Sequence, residues 1–159
     1  MKHRVMTQTL IKSGTEPNPH TDQEEHFFTY SLYPHKGTWK TGGTVREALN
    51  LNVKARAVKG AAEKENWSFL SVDKENVILE TVKKAEDGNG IIVRLYEVNN
   101  SRTSVTLASA GKLSEAWETD LLENPTEERK LEVTDHTVSF TIKPYEILTL
   151  RLQMKGSQK

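Results

Sequence analysis

A period of two in the apolar residues runs through the carboxy-terminal half of the chain, and it limits the fold more than any other feature. Val77, Leu79 and Thr81 share one parity, as do Ile91, Val93 and Leu95, then Val105 and Leu107. The pattern returns at Val138, Phe140 and Ile142, and closes with Leu148, Leu150, Leu152 and Met154. Alternation of this kind places every second side chain on a buried face and is the mark of half-buried strands. Turn chemistry separates the segments: Asp87-Gly88-Asn89-Gly90, Asn99-Asn100-Ser101, Ala110-Gly111, Asn124-Pro125 and Thr134-Asp135. Short strands joined in this way predict an all-β, antiparallel sandwich.

The segments around this pattern are less regular. Arg4 to Lys12 carries Val5, Thr7, Thr9 and Ile11 on one parity and reads as a strand. Ser13 to Glu25 is polar, holds Gly14, Pro17 and Pro19, and reads as a long loop, because proline withholds a ladder donor. His26 to His35 is aromatic and β-prone on both parities, which suggests a strand covered on both sides and ended by Pro34. Thr44 to Leu49 has the spacing of a helix with a capping box, Thr44 as the cap and Glu47 three residues on. Val45, Ala48 and Leu49 would face inward. Val53 to Val58 alternates weakly and reads as a further strand, and Gly60 to Asn66 as a linker or exposed loop. Trp67 to Val72 begins the sandwich pattern. Lys112 to Glu123 fits either period, since Leu113, Trp117 and Leu121 fall at helical spacing while Trp117, Thr119 and Leu121 alternate; its neighbours favour a strand. A division near Gly60 follows, with residues 1–60 as one region and 61–159 as the sandwich.

Charge and composition remove several function classes. Lys plus Arg equals Asp plus Glu, 22 against 22, and the signs are interspersed, so no field draws the chain to nucleic acid or to an acidic membrane. With no cysteine, disulfides, thiolate catalysis and cysteine-based zinc sites are excluded. No apolar run reaches the ~20 residues that cross a bilayer. Met1-Lys2-His3-Arg4 leads into mixed polar residues, so no secretory signal is expected and a cytoplasmic location is.

No complete catalytic constellation appears. The histidines at 3, 20, 26, 35 and 136 make no helical zinc pair, and there is no Gly-x-Ser-x-Gly elbow and no phosphate loop. His20, Asp22, Glu24, Glu25 and His26 are close in sequence, as a cation site would need, but without a fixed spacing they read as a solvated acidic loop. Twenty-two acidic residues admit a glycosidase-like carboxylate pair without identifying one. Tyr30, Tyr33, His35 and Trp39 are the candidate contacts, either stacking on a glycan or packing at a domain interface. Arg94 is expected to pair with Glu97 or Glu146. No residue is assigned a catalytic, cofactor-binding or metal-ligating role.

Several blocks occur together in a recognisable order: Glu25-His26-Phe27-Phe28-Thr29-Tyr30-Ser31-Leu32-Tyr33-Pro34-His35-Lys36-Gly37-Thr38-Trp39, Thr44-Val45-Arg46-Glu47-Ala48, Ser68-Phe69-Leu70-Ser71-Val72, Ile92-Val93-Arg94-Leu95-Tyr96-Glu97, and Lys143-Pro144-Tyr145-Glu146-Ile147-Leu148-Thr149-Leu150. In this order they resemble the carboxy-terminal end of α-mannosidases of glycoside hydrolase family 38, from about Thr9 to Leu152. The resemblance implies a non-catalytic β module of a retaining, zinc-dependent enzyme that hydrolyses terminal α-mannosides of glycans. The family's aspartate nucleophile, acid/base carboxylate and zinc ligands lie in an amino-terminal barrel that has no counterpart in this sequence. No catalytic position carries over, so the chain alone is expected to be inactive. Its implied partners are that barrel and the remaining β domains of the same polypeptide, with a glycan as substrate of the intact enzyme. The region before residue 60 would supply the last strands of a larger, supersandwich-like β domain. On its own it would expose an apolar patch around Phe27, Tyr33 and Trp39 or cover it by self-association. The alternative function is a stand-alone carbohydrate-binding β-sandwich.

Overall fold

A computed structural model describes residues 6–61 and 64–156. The chain divides into two compact units, residues 1–57 and 58–159.

Among its described residues the first unit holds one regular element, helix α1 (Thr44–Asn52). No residue from 6 to 57 is buried. The strands expected over 4–12, 26–35 and 53–58 do not form there, although residues 4 and 5 lie outside the described part. The reason is elementary: a strand exists only as part of a ladder, and within this unit no second strand pairs with these segments. Helix α1 begins where the sequence placed it, but its cap differs. Gly43, at φ 68°, is the N-cap, and no side chain caps the helix. The Gly43 carbonyl accepts from the amides of Arg46 and Glu47 at 3.0 and 3.2 Å. The expected Thr44–Glu47 box is therefore absent. Val45 and Leu49 are half-buried while Ala48 is exposed. Limited proteolysis should cut first between residues 6 and 57, because a segment without buried contacts opens most cheaply. Mass spectrometry of the earliest fragments checks this, and early cleavage inside the sandwich strands would contradict it.

The second unit is the sandwich. Its strands are β1 (Leu70–Val72), β2 (Val77–Lys84), β3 (Ile91–Glu97), β4 (Thr103–Ser109), β5 (Leu113–Thr119), β6 (Pro125–Leu131), β7 (Val133–Thr134), β8 (Thr137–Ile142) and β9 (Ile147–Met154). They form two antiparallel sheets. One has the order β1-β4-β8-β7 and the other β2-β3-β9-β5-β6. Strand β9 is the middle strand of five, paired on either side with β3 and β5. Between the sheets, Val93, Leu95, Leu107, Ile142, Leu150 and Leu152 are almost wholly withdrawn from solvent and form the centre of one apolar cluster. Burial of this kind is the main favourable term in folding.

The turn signals fall where the chain reverses or changes sheet. Asp87-Gly88-Asn89-Gly90 closes the β2–β3 hairpin, with Gly88 and Gly90 at φ 77° and 97°. A Cβ on Gly90 would meet the Leu152 carbonyl oxygen at 2.6 Å, so only glycine fits there. Asn99-Asn100-Ser101 carries the chain from the five-stranded to the four-stranded sheet, and Asn100 takes φ 58°. Ala110-Gly111 returns it from β4 to β5. Segment Lys112–Glu123 resolves as strand β5 followed by a turn.

Candidate functional site

In the first unit, the four aromatic candidates separate into two kinds. The rings of Tyr33 and His35 lie 5.4 Å apart, tilted by 31°. Tyr33 donates its hydroxyl to the Gly42 carbonyl at 3.0 Å, and His35 Nε2 lies 3.4 Å from the Thr44 hydroxyl. A shallow cavity of about 380 Å³ lies against α1, lined by Ser31, Tyr33, Thr44, Glu47 and Leu51 among others. Trp39 and Tyr30 do not line it. The ammonium of Lys40 sits 5.4 Å from the Trp39 ring centre, and Tyr30 is exposed. The acidic loop spends its polar groups on itself. Ser13 donates to Asp22 at 2.7 Å, and His26 Nε2 lies 3.1 Å from the Asp22 carbonyl. Among the described residues no group of three or more His, Asp or Glu is placed to hold a metal ion.

The more elaborate polar structure lies on the outer face of the five-stranded sheet. In β9, alternation points Leu148, Leu150 and Leu152 into the core and Thr149 and Arg151 to the other face, yet those two are buried as well. The turn after β5, Asp120–Asn124, crosses that face as a strap. Arg94 of β3 donates to the Leu121 carbonyl at 3.1 Å, and Arg151 donates to the Glu123 carbonyl at 2.7 Å. The Glu123 carboxylate reaches β2, where Lys83 lies 2.7 Å away, and accepts the Glu86 amide at 2.9 Å. Lys83 and then the Glu86 amide hold the Glu123 carboxyl below its ordinary range. Arg151 also pairs with Asp87 at 2.6 Å, and this bond, followed by the Asn89 amide, lowers the Asp87 carboxyl. Lys83 in turn has its ammonium form favoured by Glu123 and Glu86. At the strap's base, Asp120 accepts both the side-chain amide and the backbone N–H of Asn124, which lowers its carboxyl. Glu123 itself sits at φ 70°, a left-handed conformation that these bonds sustain.

Arg94 thus contacts the strap rather than Glu97 or Glu146, as the sequence had suggested. Residues 94 and 97 lie three apart on one strand and point to opposite faces. Glu97 is instead buried at the far end of β3. It accepts from the side-chain amide of Asn76 at 2.8 Å and from the amides of Asn99, Ser101 and Tyr145 at 2.7, 3.2 and 3.0 Å. Burial works to raise its carboxyl, and the four donors outweigh it, so the group lies below its ordinary value. Glu146 binds back to Lys143.

Beside the strap a cleft of about 650 Å³ opens at the ends of β5 and β9, floored by Thr119 and Thr149 and flanked by Glu118, Arg129 and Lys143. Little of this was visible in local sequence. The one signal was Leu148-Thr149-Leu150-Arg151-Leu152, where a charge and a hydroxyl interrupt a central strand.

The second unit is a two-sheet antiparallel sandwich that uses its charged groups to fasten loops. That is the architecture of an antiparallel β-sandwich domain. Residues 76–150 match the glycosyl hydrolases family 38 C-terminal beta sandwich domain, and this part of the chain belongs to that family. Alpha-mannosidase 2C1 of Homo sapiens is 32% identical over 156 residues, which is 95% of this chain and 15% of that protein. The Mus musculus protein of the same name is 31% identical over 161 residues, 98% of this chain and 16% of the relative. Alpha-mannosidase G of Dictyostelium discoideum is 31% identical over 150 residues, 90% and 14% respectively. The chain therefore spans about a seventh of the length of the relatives it matches.

Proposed function

We propose that this chain is the carboxy-terminal β region of a cytoplasmic, retaining, zinc-dependent α-mannosidase, and that it braces the catalytic part rather than supplying catalytic groups. The observation that carries this reading is the coverage: nearly all of this chain aligns with relatives of which it accounts for 14–16%. The first unit supports it. Phe27 and Leu32 are 86% and 78% exposed, and a segment with such side chains and no core of its own is suited to be covered by neighbouring domains. In an enzyme of this kind zinc would orient the sugar and polarise it. Among the described residues no group of three or more His, Asp or Glu is placed to hold that ion, and on this reading the zinc site is assigned to other parts of the polypeptide. Hydrolysis would proceed there through a glycosyl-enzyme intermediate.

The chain by itself should give no turnover of an aryl α-mannoside, with or without zinc. Zinc-dependent release of the aryl group would overturn the reading. Light scattering together with a dye that reports apolar surface tests the first unit: dye binding or self-association is expected, and a monomer that binds none would count against the bracing role.

A further inference from the structure

Two threonine hydroxyls in the cleft at the ends of β5 and β9 have no partner. Thr119 and Thr149 stand opposite one another in register on adjacent strands, 6% and 3% exposed, and neither Oγ1 makes a hydrogen bond. Burying an unpaired hydroxyl is unfavourable, and valine would fill the same space without that penalty. Strands accept valine at least as well as threonine. Two such hydroxyls side by side therefore break a local rule, and departures of this kind gather at functional sites. The Nε atoms of Arg94 and Arg151, on the same face, are also unpartnered.

The surroundings define the ligand class. A hydroxyl both donates and accepts, and its natural complement is another hydroxyl. The cleft's charged groups are mixed in sign: Glu118, Asp120 and Glu146 are acidic, while Arg129 and Lys143 are basic. No single charge dominates, which disfavours a simple anion or cation and suits a neutral, polyhydroxylated molecule. Leu121 and Ile147 line the same cleft and are about two-thirds exposed, offering apolar surface to the C–H face of a sugar ring. We propose that this cleft is a saccharide-binding subsite in which Thr119 and Thr149 exchange hydrogen bonds with neighbouring hydroxyls of one sugar. Both hydroxyls are closed to solvent, so binding requires the cleft lining, which includes Asp120, Leu121 and Leu122 of the strap, to move.

The choice of a mannoside as ligand rests on the α-mannosidase reading; the hydroxyl argument does not. The whole chain, labelled on threonine methyls, is titrated with mannobiose and, in parallel, with glucose and galactose disaccharides. Mannobiose should shift the Thr119 and Thr149 methyl signals. The double variant Thr119→Val/Thr149→Val should bind at least about tenfold more weakly, because two hydrogen bonds are lost, yet melt no lower than the parent. Thr149→Ser keeps a hydroxyl and should retain binding, which guards against a valine variant that fails to fold. Shifts with glucose or galactose but not mannose would uphold the subsite and count against the mannosidase reading. No shift at either threonine with any sugar, or undiminished binding by the double valine variant, would overturn the proposal.

Discussion

Leu150→Ala should destabilise the sandwich by about 2–5 kcal/mol, the cost of truncating a buried leucine when its surroundings close only partly around the gap. Leu150 is 0% exposed and lies in the middle strand of the five-stranded sheet, opposite Val93 on β3. Its neighbours are fixed on every side by ladder hydrogen bonds and by the facing sheet, so there is little room for collapse. Small domains are stable by only about 5–15 kcal/mol, so the loss would take a large share of the total. For a sandwich of this size it corresponds to a fall in melting temperature on the order of 10–25 °C. Leu122→Ala is the control. That side chain is 81% exposed, and its loss should shift stability by no more than about 0.5 kcal/mol. Denaturant titration of both variants checks the contrast, and equal effects would mean that the core is not where the burial pattern places it.

The sandwich was largely legible because each strand that buries one face announces itself by its period. Val77, Val93, Leu107, Phe140 and Leu150 all fall on the inward parity and all are buried. What escaped notice lacks that signal. Strand β6, Pro125-Thr126-Glu127-Glu128-Arg129-Lys130-Leu131, is an edge strand of mostly charged residues. It is held by its ladder to β5 and by Lys130, which lies 2.6 Å from Glu115 across the pair. Strand β7 is two residues long. In residues 6–57 the opposite error occurs. Aromatic alternation over 26–33 describes what a segment prefers when a neighbouring strand is present, and no such neighbour lies within this unit.

The polar architecture was less legible, and the reason is separation along the chain. Glu123 is 40 residues from Lys83, and Arg151 is 64 from Asp87. Nothing local distinguishes these charges from the many that stay in solvent. Burial on both faces of β9 depends on the strap, which a period of two cannot reveal: the same alternation would be seen with Thr149 and Arg151 facing water. Tyr33 and His35 meet because they are two apart on one stretch, and that proximity could be read. Their contacts with Gly42 and Thr44 could not.

Glu97→Gln should cost about 3 kcal/mol at neutral pH, a value set by hydrogen bonds to a charged acceptor and by donors left facing a donor. The carboxylate takes two donors on each oxygen. Asn76 and Asn99 meet Oε1, and Ser101 and Tyr145 meet Oε2. An amide can satisfy one pair only by aiming its NH2 at the other. Three segments come apart together: the approach to β2, the β3–β4 crossing, and the turn before β9. Because burial opposes the charged form and the four donors overcome it, the folded carboxyl lies below its unfolded value of 4.5. The sign of the pH effect follows. A depressed folded pKa contributes stability in full above pH 4.5, and that contribution is lost as pH falls through the lower folded value. Glutamine does not titrate. The gap between parent and variant should therefore be widest near neutrality and should narrow below pH 4.5. Paired denaturant titrations at pH 7 and near pH 3 measure it. A gap of equal size at both would show that Glu97 contributes through its shape and not through its charge.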